Sequence, residues 1–219
     1  MNEIKRKIKR RVFNAAEYCD WEYLKSLATG QPRRERRLIR HRNRPVPPPH
    51  WRKAATVLLY AEKYGCKRFV ETGTQVGEMV HAVQDAFEHI TSIEIDPKGY
   101  EISRNRFDGI KHIKLLHGDS GKLLPTVLEQ LEEAAVFWLD AHGYCPPEHL
   151  ESNPILIEVE SVLKHPVPGH VILVDDARCF GWERYYPSLD ELRAVAKRHD
   201  ANFEVAGDCI RIHLDKEEL

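Results

Sequence analysis

The chain is poor in the residues that advertise special chemistry. Five cysteines (Cys19, Cys66, Cys145, Cys179 and Cys209) stand far apart, odd in number and without a C-x-x-C pair. That spacing excludes a zinc site of paired cysteines and a disulfide framework, and leads us to expect reduced thiols in a cytoplasmic setting. No apolar run approaches the ~20 residues of a membrane-spanning helix, so no transmembrane segment is expected. The basic residues of positions 5–11 run into Asn14, Glu17 and Asp20 rather than into a secretory apolar core. A G-x-G-x-x-G dinucleotide turn is missing as well, which sets aside a nicotinamide-dependent oxidoreductase. With 42% hydrophobic and 31% charged residues among 219, what is present has the make-up of a globular protein.

The net charge of −1 conceals a strong asymmetry. Residues 1–54 carry 16 Lys/Arg against 5 Asp/Glu, and the remainder carries 17 against 29. The densest basic block, residues 33–44, offers a face to nucleic acid, an anionic surface or a phosphorylated substrate. The plainer reading is a solvated arm that pairs with the acidic body of its own or a neighbouring subunit, the second case giving a homo-oligomer. Ile4, Ile8, Val12, Ala15 and Cys19 recur at helical spacing, and Gly30 and Pro32 then break the pattern. Pro45-Val46-Pro47-Pro48-Pro49 is extended and closes this part. We therefore divide the chain into a basic helical extension with an Arg/Pro-rich linker, residues 1–50, and an α/β domain, residues 51–219.

From Trp51 onward helix and strand signals alternate. Strands are expected at 67–71, 90–95, 113–116, 135–139 and 171–174, with helices at 51–64, 76–88, after Asp96-Pro97, and at 121–131, 153–164 and 188–199. Asn202–Ala206 and Cys209–Leu214 read as a hairpin around Gly207-Asp208. Repeated β-α units imply a doubly wound, Rossmann-like sheet of seven strands, mostly parallel, with a C-terminal antiparallel hairpin.

The most informative stretch is Glu71-Thr72-Gly73-Thr74-Gln75-Val76-Gly77, a glycine turn between a strand and a helix. Glycine lets the backbone turn tightly and approach a ligand, and an acid about 20 residues on suits ribose hydroxyls. Glu94 lies 23 residues after Glu71. The turn reads E-x-G-x-x-x-G, which argues for a nucleoside without a pyrophosphate; S-adenosylmethionine is the obvious candidate. Gly118-Asp119-Ser120, Asp140-Ala141-His142 and Asp175-Asp176 follow the next strands, so carboxylates gather at one sheet edge. Ligands of open α/β sheets sit at that edge. Asp119 or Ser120 could instead cap the helix that follows.

Over roughly residues 50–214 these motifs resemble the class I S-adenosylmethionine-dependent methyltransferases. The resemblance implies that Glu71, Thr72, Gly73, Thr74 and Gly77 line the methionine and ribose side of the cofactor. It places Glu94 on the ribose hydroxyls and Asp119 and Ser120 beside the adenine, and counts Asp140 among the cofactor-binding residues. A narrower resemblance is to metal-dependent O-methyltransferases of the catechol and macrolide-sugar types, carried by "WLDAH" and "LVDDAR". It implies Mg²⁺ held by Asp140, Asp175 and Asp176, although acids clustered at one edge could instead hydrogen-bond to loop amides and to Arg178. Such a cation lowers the pKa of a hydroxyl and orients it toward the methyl. His142, two residues beyond Asp140 in the same loop, is the general-base candidate, and Asp140 and His142 are the expected catalytic residues. The lysine that catechol-type enzymes carry soon after the strand-four acid is missing between Asp140 and Lys164. The whole pattern also looks like uncharacterised bacterial methyltransferases of surface-glycan and secondary-metabolite clusters.

The expectation is thus methyl transfer to a hydroxyl of a small-molecule or glycan acceptor. Two alternatives stand beside it. One is a nucleic-acid methyltransferase gripping phosphates with residues 33–44, against which the Asn/Asp-Pro-Pro-aromatic loop is missing after strand four. The other is a non-catalytic nucleoside-binding module.

Overall fold

The structure, a computed structural model, describes residues 47–141, 153–181 and 185–214. The basic extension, the arginine block, His142 with most of the loop after strand four, and Trp182 lie outside the described residues.

Helix α1 (His50–Tyr64) turns Ala54, Val57, Leu58, Ala61 and Tyr64 inward at three- and four-residue spacing. It ends where Gly65 takes a left-handed φ of 66° and its N–H reaches back to the helix carbonyls. The chain then alternates through β1 (Arg68–Thr72), α2 (Glu78–Val83), β2 (His89–Glu94), α3 (Pro97–Arg106), β3 (Ile113–His117), α4 (Ser120–Leu128), β4 (Ala135–Leu139), α5 (Ile155–Leu163) and β5 (Val171–Val174). Helix α6 (Leu189–Arg198), β6 (Asn202–Ala206) and β7 (Cys209–His213) follow. One seven-stranded sheet results, in the order β3-β2-β1-β4-β5-β7-β6. The first five of these strands are parallel, and β7 runs antiparallel between β5 and β6. This is the doubly wound, mostly parallel sheet with a C-terminal hairpin that the sequence implies.

Helix α2 is shorter than the expected span of 76–88. Phe87 has to leave the helix to stack on Phe69 at 5.1 Å, and β2 must begin at His89 to pair with Arg68. The helix unwinds accordingly, through a 2.9 Å bond from the Ala86 N–H to the Val83 carbonyl.

A core lies on each face of the sheet. Phe69, Val136, Trp138, Val171 and Leu173 pack against α1 and α2 on one side. Val70, Phe137, Leu139, Ile172 and Val174 pack against α4, α5 and α6 on the other. Alternation along each strand therefore decides which layer a terminal side chain meets. It sends Asp140 and Asp175, two residues beyond the paired Trp138 and Leu173, toward α1.

Candidate cofactor and acid site

The glycine turn sits at the carboxyl edge of β1. The Gly73 and Thr74 N–H groups donate to the Ile93 carbonyl at 2.9 and 3.3 Å, which ties the turn to β2. Gly73 has φ +85°, and a Cβ there would lie 2.4 Å from the Asp140 carbonyl oxygen. Gly77 has φ +80°, and a Cβ there would lie 2.4 Å from the Phe107 ring. Both glycines are thus required by the chain's own packing, since they let the β1 turn nest against β4 and against the end of α3.

Behind the turn lies a buried relay. The Ser92 hydroxyl donates to Glu71 Oε2 at 2.5 Å and meets the Thr74 hydroxyl at 2.5 Å. Burial raises the Glu71 carboxyl to about 8, against the opposing pull of the Ser92 bond. Glu94, at the end of β2, accepts from the Gln75 N–H at 2.5 Å through Oε2 and from the Asp96 N–H at 2.7 Å through Oε1. Its carboxylate is held rigidly, and each oxygen keeps a second lone pair for a further donor. Asp119 accepts from the Gly121 N–H at 3.0 Å and so caps α4, the helix that Ser120 opens. Thr72 points to the opposite face, toward the buried Glu158 of α5. The carboxyl of Glu158 is raised by burial to about 7, with the Ser120 and Thr72 hydroxyls opposing the shift. Thr72 is therefore a sheet residue under the turn and the Thr74 hydroxyl is turned into the buried relay, whereas Gly73, Glu94 and Asp119 lie at the strand ends beside the turn.

Asp140 lies near enough to feel the charges of Asp175 and Asp176, but the close acid group among the described residues is Asp175 and Asp176 with Asp208, and Asp140 is not part of it. The backbone ladder continues past the strands: the Asp140 N–H donates to the Thr72 carbonyl at 2.9 Å and the Asp175 N–H to the Leu139 carbonyl at 3.1 Å. Carboxylate oxygens of Asp175, Asp176 and Asp208 lie within 4.8 Å of one another. Asp208, in the β6–β7 turn, had carried only a turn role in the sequence. Two cations are threaded through the group. Lys53 of α1 forms an ion pair with Asp175 Oδ2 and stands 3.6 Å from Asp176 Oδ1. Arg178 donates to Asp176 Oδ1 at 2.7 Å and also to Asp208 Oδ2.

The charge states follow from these contacts. Burial lowers the Lys53 pKa, but Asp175, Asp176 and Asp140 outweigh it and hold the ammonium charged. Burial, then the like charges of Asp175 and Asp176, push the Asp140 carboxyl well above the usual range. Asp140 forms no salt bridge with either cation among the described residues. A cleft of about 240 Å³ opens beside Lys53 and Asp175, with Trp51, Arg52, Trp138 and Arg211 in its walls. Its mixture of aromatic faces and cations suits a ring or sugar that carries polar groups.

Lys53 and Asp208 are the site residues that reading the sequence missed. Lys53 stands on the inward face of α1, one turn before the buried Val57, and a charged residue there is the signal that could have exposed it. Asp208 resembles any turn acid and gives no such signal.

No family model matches the chain, and neither does any curated protein. Solved structures match it in fold. The O-methyltransferase of Bacillus cereus in complex with S-adenosylhomocysteine is 15% identical, with 93% of this chain and 89% of that one covered and a TM-score of 0.53. The S-adenosylhomocysteine-bound methyltransferase PaMTH1 of Podospora anserina is 18% identical over 75% of this chain and 78% of that one, at a TM-score of 0.53. The S-adenosylmethionine-bound amino pentose methyltransferase CalS10 of Micromonospora echinaspora is 12% identical over 74% and 87%, at 0.52. The chain has the Rossmann-like fold that these S-adenosylmethionine-dependent methyltransferases share.

Proposed function

We propose that the protein is an S-adenosylmethionine-dependent methyltransferase acting on a hydroxyl of a small-molecule or sugar acceptor. The observation that carries this reading is Glu94. Two backbone N–H groups fix its carboxylate at the open side of a glycine turn, in a fold that holds the same cofactor or its product in the similar structures. A carboxylate so placed suits the vicinal hydroxyls of a ribose, and Asp119 stands at the next strand end for the base. When bound, S-adenosylmethionine supplies a sulfonium methyl that an acceptor oxygen can displace.

The chain's own residues would do the rest. Gly73, Thr74 and Gly77 shape the cofactor side, and the cleft beside Lys53 positions the acceptor oxygen. Asp140, with its raised carboxyl, is placed to exchange a proton in the same region; His142 is the second proton acceptor we propose. Magnesium assistance through Asp140, Asp175 and Asp176 is a different matter. A hard oxygen set suits that ion in type. As arranged, however, the Lys53 ammonium is paired with Asp175 Oδ2 and the Arg178 guanidinium with Asp176 Oδ1, so two positive charges already stand among the acids. The donor set does not fit a metal without displacing the chain's own cation, so no step here runs through one.

Isothermal calorimetry with S-adenosylhomocysteine tests the cofactor reading. Saturable one-to-one binding is expected, weakened about tenfold or more in Glu94→Ala, as loss of a charge-assisted hydrogen-bond acceptor requires. Heat-silent titration up to millimolar ligand would sink it.

A further inference from the structure

We infer that Lys53 is the resident cation of the acid site, standing where a divalent metal would otherwise sit, and that the site therefore works without one. The bearing of this on methyl transfer rests on the function proposed above; the assignment of the cation rests on geometry alone.

Strand pairing lays Asp140 and Asp175 side by side on the sheet face that α1 covers, because Trp138 and Leu173 pair two residues earlier. Helix α1 brings Lys53 over that point by burying Val57 and Ala54 in the same layer. The ammonium pairs with Asp175 Oδ2 and lies 3.6 Å from Asp176 Oδ1. The Asp175 side chain is 1% exposed and that of Lys53 is 18% exposed, so the pair is sheltered from water and from screening by salt. Asp208, the third member of the acid group, is held by Arg178: Oδ1 accepts from its backbone N–H at 2.9 Å and Oδ2 from its guanidinium.

A metal entering this group would have to strip Lys53 from Asp175 and accept a fixed positive charge as a neighbour. Like charges at such range repel strongly in a sheltered site. An ammonium can stand in for part of the metal's work. It carries three donors, of which Asp175 takes one, and Lys53 also lines the cleft. A further donor is available to the acceptor's oxygen, which it would hold in place and stabilise as negative charge develops.

The test uses Mn²⁺ as the probe, followed by electron paramagnetic resonance of the free ion in the presence of the full chain. The unsubstituted protein is expected to leave the free signal unchanged at equimolar metal. Lys53→Met should bind Mn²⁺ about tenfold or more tightly than the unsubstituted chain, since a like charge is removed from beside the acids. Adding Asp175→Asn should abolish that gain, and Lys53→Arg, which keeps the charge, should show none. Stoichiometric Mn²⁺ binding by the unsubstituted protein that is lost in Asp175→Asn would overturn the inference, and this arm stands whether or not the lysine variants fold. A folded Lys53→Met with no gain in Mn²⁺ affinity would overturn it too. Failure of the cofactor reading shows elsewhere, as lack of S-adenosylhomocysteine binding, and leaves these outcomes readable.

Discussion

Gly73 and Glu71 show how much a single position in the turn has to satisfy. Any side chain at Gly73 meets the Asp140 backbone and adopts a left-handed φ. Gly73→Ala should therefore lower stability by roughly 1–3 kcal/mol and displace the β4 end as well, losing S-adenosylhomocysteine affinity. Thermal denaturation and calorimetry on the same sample would check both effects. Glu71 makes the opposite kind of demand. Its carboxyl is raised from 4.5 to about 8 in the folded protein, so the folded state holds a proton that the unfolded chain has released. Stability from this group is full below pH 4.5 and declines as the pH rises through about 8, by at most about 1.4 kcal/mol per pH unit. Glu71→Gln, which stays neutral, should flatten the melting temperature across that window. A variant as pH-sensitive as the parent would mean that another group dominates there.

At the scale of elements, legibility tracked how local the cause was. Strands β4 and β5 fall at 135–139 and 171–174 as the sequence suggests, because unbroken apolar runs admit one reading when both faces are buried. The end of α1 at Gly65 and the start of α3 after Asp96-Pro97 were equally plain, since each rests on a cap written in neighbouring residues. The end of α2 was hidden, because a contact between Phe87 and Phe69 decides it. The site divides in the same way. Edge carboxylates follow from strand ends and could be read; the cations among them arrive from α1 and from the turn after β5. Arg178, for its part, grips two acids from different segments. Asp208→Asn should loosen the β6–β7 turn from Arg178 and cost about 1–3 kcal/mol, because the side chain is nearly buried. Chemical denaturation would measure it.

On the scale of the molecule, the sheet is the wall shared by two cores, with Trp138 in one and Phe137 in the other. Truncating either to alanine should cost about 3–5 kcal/mol, and each variant should still unfold in one calorimetric transition, because neither core survives loss of the wall. Two separated transitions would mean that the layers are independent.

The threading of the acid group carries a consequence for how the protein is made. Lys53 and Asp175 lie 122 residues apart in sequence, and Arg178 and Asp208 a further 30. On a ribosome the helix bearing Lys53 emerges long before the aspartate it neutralises, and Asp208 emerges later still. Until the β6–β7 turn is made and β7 pairs with β5, the nascent chain has the glycine turn but an incomplete acid group. The acid group is therefore complete only once the β6–β7 turn has been made, and a chain cut short before that turn would lack Asp208 and its bonds to Arg178.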